Sequence, residues 1–141
     1  MRIFLIEDDQ SLREILATFL DMKGHEVIHS DNPTGCPAYD SAGEPCPHEH
    51  PCGDVLVIDQ NMPKMTGLEF IRIQTERGCK GSVQNKLIIT SGLKRDELEL
   101  ATRLGCSILV KPFSMFSLLE WLESVEHKLA PERELFDFPL Q

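Results

Sequence analysis

Five short apolar runs recur along the chain: IFLI at 3–6, EVIH at 26–29, VLVID at 55–59, KLIIT at 86–90 and SILV at 107–110. Most of the gaps between them carry a helical pattern. In SLREILATFLDMKG, Leu12, Ile15, Leu16, Phe19 and Leu20 recur at helical spacing and predict one apolar stripe, with Ser11 and Glu14 as a capping box and Gly24 as the stop. GLEFIRIQTER runs to Gly78, DELELATRL runs to Gly105, and SMFSLLEWLESVEHKL places Met115, Leu118, Leu119, Leu122, Val125 and Leu129 on one face. Strands this continuously apolar are buried on both faces, and strand–helix alternation builds a parallel sheet covered on both sides. The fold class expected is α/β, a doubly wound parallel sheet.

A chain of 141 residues fits one domain. Its net charge of −9 argues against binding nucleic acid through phosphate neutralisation. No apolar stretch approaches the roughly 20 residues that span a bilayer. Arg2 precedes only a short apolar run that Glu7, Asp8 and Asp9 end, which is unlike a signal peptide. Five cysteines without an export signal suggest reduced thiols or metal ligands, and a cytoplasmic location is expected.

Only the connection between Ile28 and Val55 lacks a helical pattern, and it holds GCPAYDSAGEPCPHEHPCG. The domain is expected over residues 1–130, with a Cys/His-rich insertion at 33–53 and a tail at 131–141. Leu135, Phe136 and Phe138 could dock as an apolar strip, but a loosely held terminus is the expectation.

In open α/β sheets, sites form beyond the carboxyl ends of the strands. Asp8 and Asp9 follow the first strand, Asp59 ends the third, Thr90 ends the fourth and Lys111 follows the fifth. Carboxylates that converge repel one another unless a cation joins them, and hard oxygen ligands of this kind suit Mg²⁺. A carboxylate beside a divalent cation, a lysine and a hydroxyl is equipped to accept a phosphoryl group. Asp59 is the natural acceptor.

These motifs resemble the receiver domain of two-component response regulators, over the chain from about Arg2 to Leu129 apart from the cysteine-rich connection. LIEDDQSLREIL resembles the family's first strand and acidic loop, VLVIDQNMPKMTGLEF its phosphorylation strand and loop, and LIITSG and LVKPF its hydroxyl and lysine motifs. The resemblance implies a flavodoxin-like, five-stranded sheet in order 2-1-3-4-5. It implies Asp8 and Asp9 as Mg²⁺ ligands with Glu7 a secondary candidate, Asp59 as phosphoacceptor and metal ligand, and Asn61 binding the metal through its backbone carbonyl. Thr90 takes the place of the switch hydroxyl, Lys111 that of the phosphate-contacting lysine, and the Lys111–Pro112 bond is cis in the family. Such domains take phosphate from a histidine kinase or phosphotransfer protein, catalyse that transfer themselves, usually hydrolyse the product, and switch a surface for a downstream protein. Ile108 stands where the family commonly has an aromatic residue.

The family's second helix is replaced here by the cysteine-rich connection. Cys36, Cys46 and Cys52, with His48 or His50, offer ligands for a tetrahedral Zn²⁺ site, and Cys79 is an alternative fourth ligand. Redox-active thiols, an iron–sulfur cluster and a plain loop are the other readings. Cys106 reads as an inert core thiol. Two functions follow: a stand-alone phosphorylated receiver, or a metal or redox sensor on a receiver scaffold with this loop as input. A phosphoester hydrolase using Asp59 is weaker, because no Asp-x-Asp pair stands at that strand end.

Overall fold

The computed structural model describes residues 1–33, 36, 45–80 and 85–137. Much of the expected insertion, residues 34, 35 and 37–44, lies outside the described residues, as does Phe138 of the tail.

The apolar runs form β1 (Arg2–Ile6), β2 (Glu26–Ser30), β3 (Val55–Asp59), β4 (Lys86–Thr90) and β5 (Ser107–Val110). They pair in parallel in the order β2-β1-β3-β4-β5. β3 and β4 are buried at every position, as central strands covered on both faces must be. The helices are α1 (Gln10–Met22), α2 (Gly67–Glu76), α3 (Arg95–Arg103) and α4 (Met115–Glu126).

Alternate strand residues face opposite layers, so the core divides in two. Ile3, Leu5, Val57 and Ile89 meet Leu16 and Leu20 of α1 and Leu118 and Leu122 of α4. Leu56, Ile58 and Ile88 meet Phe70 and Ile71 of α2 and Ala101 of α3. Among the described residues no helix lies between β2 and β3. The end of that connection crosses the Phe4 ring instead, where a Cβ on Gly53 would stand 2.7 Å from Phe4 Cδ2.

Two local expectations change. Helix α1 is capped by Asp9, whose carboxylate accepts the Leu12 N–H at 3.1 Å, and not by Ser11. The helix therefore begins two residues earlier than a Ser11 cap would allow, and Glu14 instead accepts from the Gln10 side chain. Ile15, expected in the buried stripe, is 57% exposed, because Leu16 and Leu20 fill the contact with the sheet.

The tail is held through Asp137, contrary to the loose terminus expected. Arg133 grips the buried Asp54 carboxylate through Nε and through Nη2, the latter at 2.9 Å. The Phe136 N–H donates to the Pro51 carbonyl at 2.7 Å, and Arg2 Nη1 donates to the carbonyls of Phe136 and Cys52. The Phe136 ring stacks on His48 with centroids 3.9 Å apart. Tail and connection thus hold each other beside β1. Among the described residues no helix is long and apolar enough to cross a membrane.

Candidate functional site

Parallel strands all point their carboxyl ends to one rim, so the residues just beyond β1, β3, β4 and β5 meet there. Glu7 and Asp8 follow β1, Asp59 closes β3, Thr90 closes β4 and Lys111 follows β5. One carboxylate oxygen from each of Glu7, Asp8 and Asp59 lies within 4.8 Å of the others. Lys111 Nζ donates to Asp59 Oδ1 at 3.3 Å and stands 3.9 Å from Glu7 Oε2. Glu7 and Asp59 are buried, while Asp8 is exposed and forms the solvent side of the group.

Asp9 is outside this group. Its carboxylate is engaged in capping α1, and Glu7, the secondary candidate, takes the central place beside Asp8. Glu7 Oε1 accepts the Asp9 N–H at 3.2 Å, while Oε2 is buried without a hydrogen-bond donor. Burial, then the neighbouring Asp59 charge, raises the Glu7 carboxyl to a pKa of about 7. Burial likewise raises Asp59; Lys111 opposes it and the hydrogen bond with the Asp8 carboxyl adds to it. The Asn61 N–H also bonds to Asp59, favouring its charged form.

These features fit a divalent cation. Three hard oxygen donors converge, one buried oxygen lacks a donor, and burial raises both the Glu7 and the Asp59 carboxyl, a cost that a cation offsets.

Thr90 is fully buried, and its hydroxyl donates to the Gly92 carbonyl at 2.9 Å while accepting the Gly92 N–H at 3.1 Å. The Lys111–Pro112 bond is cis. Ile108 is partly buried in the second core layer, under α3.

Sequence reading missed Gln60. It is buried next to Asp59, its side-chain oxygen accepts the Leu68 N–H at 2.9 Å, and its Nε2 donates to Glu97 Oε2 at 2.9 Å. Glu97 also accepts the Lys94 N–H at the start of α3, so one carboxylate joins that helix to the Asp59 loop. A polar residue directly after an apolar strand was the available signal.

At the opposite rim, no disulfide forms among the five cysteines. His50 pairs with Glu134 of the tail at 3.1 Å, and His48 Nδ1 lies 3.0 Å from the Cys52 sulfur. Cys106 packs, partly buried, against the second core layer.

The response regulator receiver domain model matches residues 3–123. The chain is 29% identical over 129 residues to the chemotaxis protein CheY of Pseudomonas aeruginosa, covering 89% of this chain and 95% of that one. It is 23% identical over 134 residues to the phosphate regulon transcriptional regulatory protein PhoB of Klebsiella pneumoniae, covering 92% of this chain and 53% of that one. This chain therefore spans about half the length of such transcriptional regulators. The solved chemotaxis protein CheY4 of Vibrio cholerae superposes with a TM-score of 0.67 at 25% identity, covering 88% of this chain and 97% of that one. Sheet order, family match and relatives agree, and the chain belongs to the response regulator receiver domain family.

Proposed function

We propose that this chain is a phosphorylation-controlled signalling domain that accepts a phosphoryl group on Asp59 from a histidine kinase or phosphotransfer protein, with Mg²⁺ at the acidic group. The observation that carries this reading is Asp59 itself, a buried strand-end carboxylate 3.3 Å from Lys111 Nζ and grouped with Glu7 and Asp8. An Asp59 oxygen attacks phosphorus, forming an O–P bond as the donor's N–P bond breaks and the pair returns to the donor's imidazole nitrogen. Lys111 compensates negative charge at the acceptor. Glu7, Asp8 and Asp59, with the Asn61 carbonyl, would hold Mg²⁺, which would supply further charge compensation for the phosphoryl oxygens. Thr90 gives up its Gly92 bonds to donate to a phosphoryl oxygen, and the Gln60–Glu97 bond passes the rearrangement to α3. The downstream partner is a protein that reads the α3–β5 surface in one of these two states.

An acyl phosphate in the presence of Mg²⁺ is expected to label the chain, and Asp59→Asn to remove the label. Equal labelling of that variant sinks the reading.

Gly67 sets the position of the acceptor. A Cβ there would lie 2.7 Å from the Asp59 carbonyl oxygen and 3.3 Å from its carbon, and backbone does not yield as a side-chain tip does. Gly67→Ala is expected to cost about 1–3 kcal/mol, the usual penalty for overpacking, and to slow labelling. Urea unfolding and the labelling rate check both effects; wild-type values in the two assays would refute the argument.

A further inference from the structure

The connection between β2 and β3 and the end of α2 bring four cysteines into one neighbourhood at the rim away from Asp59. Gly78 adopts a positive φ of 73° and reverses the chain after α2, and the Cys79 N–H then closes on the Gln74 carbonyl at 2.9 Å. The Cys46 N–H donates to the Arg77 carbonyl at 2.8 Å, which fixes the connection against this same helix end, two residues from Cys79. Cys36 packs on the second core layer, and Gln74 Nε2 lies 3.8 Å from its sulfur. Cys52 is anchored by Arg2 through its carbonyl.

Two further observations point to a ligand. Gln74 is 6% exposed, and its Oε1 is buried without a donor beside these thiols. His48 is oriented by its stack on Phe136 with Nδ1 3.0 Å from the Cys52 sulfur. This is how an outer-sphere histidine steadies a metal thiolate.

We propose that Cys36, Cys46, Cys52 and Cys79 form a structural Zn²⁺ site, with His48 donating from Nδ1 to the Cys52 sulfur. Four thiolates suit a closed structural zinc site, and zinc brings no redox chemistry. His50 is left out, because it pairs with Glu134 of the tail. Among the described residues only the acidic group has its ligand atoms within 4.8 Å of one another, so zinc draws the thiols inward as it binds. Cys46 and Cys52 lie on irregular backbone, where such a shift breaks no strand or helix bonding. Zinc binds thiolates, so the ligating thiols give up their protons as the ion enters. The ion joins the β2–β3 connection to the end of α2.

Metal content of the whole chain, purified under reductant without chelator, tests this. About one zinc per chain is expected. It falls below half in Cys46→Ser and Cys52→Ser and stays in Cys106→Ser, His50→Ala and Asp59→Asn. Should the serine variants fail to fold, the wild-type chain stripped of metal is titrated with Co²⁺, and a thiolate-to-cobalt absorption band is expected. No zinc together with no such band overturns the proposal. Iron with stoichiometric sulfide overturns it too, as does zinc that survives both serine substitutions. Phosphate labelling of Asp59 is read separately, so either proposal can fail alone.

Discussion

Arg133→Ala is expected to destabilise the chain by about 2 kcal/mol, a large effect for one residue in the tail. Asp54 is buried, with its side chain 1% exposed, while that of Arg133 is 32% exposed. The usual cost of breaking a buried pair is therefore reduced by solvent screening at the arginine. Burial alone would raise the Asp54 carboxyl. The Arg133 hydrogen bonds and the Arg2 N–H at 2.9 Å outweigh it and hold the carboxyl below its usual range. An acid whose folded pKa is depressed contributes stability above its unfolded pKa, about 3.9, and loses it as pH falls through the folded value. The difference between wild type and Arg133→Ala is thus expected in full at pH 7 and to shrink below about pH 4. Urea unfolding at the two pH values measures it. Equal stability at pH 7 would show that the tail does not hold Asp54 in solution.

Glu7→Gln is expected to act in the opposite direction, stabilising the chain in chelator at pH 8 by on the order of 2 kcal/mol. The Glu7 pKa rises from 4.5 to about 7, so the folded state binds the proton more tightly than the unfolded one. For such an acid, stability is fully present below the unfolded pKa and is lost as pH rises through the folded value. Wild type therefore weakens between about pH 5 and pH 8, and the glutamine variant does not. The amide keeps an acceptor for the Asp9 N–H and removes the buried negative charge beside Asp59. Added Mg²⁺ reverses the order, because wild type regains stability through binding and the variant has lost a charged ligand. Denaturation midpoints at pH 8 with EDTA and with Mg²⁺ give the comparison; a variant weaker than wild type in EDTA would rule out the buried-carboxylate account.

The sheet was legible because strand and helix periodicity are local. VLVID and KLIIT announce buried strands from five residues each, and both are buried throughout. The acidic group was legible because parallel strands send their carboxyl ends to one rim, so counting strand ends places Asp8, Asp59 and Lys111 together. What blurred was the choice among Glu7, Asp8 and Asp9, three adjacent acids that point in different directions. That choice depends on where α1 begins, and a difference of two residues in the cap sends Asp9 to the helix and leaves Glu7 at the site.

By itself, then, the sequence determined the α/β class, the order of elements and the place of Asp59 at the end of β3 beside Lys111, since each rests on spacing within one segment or on the polarity of a parallel strand. Tertiary structure alone decided that Arg133 and Phe136 of the tail dock, that Gln60 reaches Glu97, and that the Cys46 N–H bonds to Arg77 at the end of α2. Those contacts link residues far apart in the chain, and no periodicity encodes them. Those of the tail form where tail and connection meet beside β1, bonded through Arg2, Pro51 and Asp54.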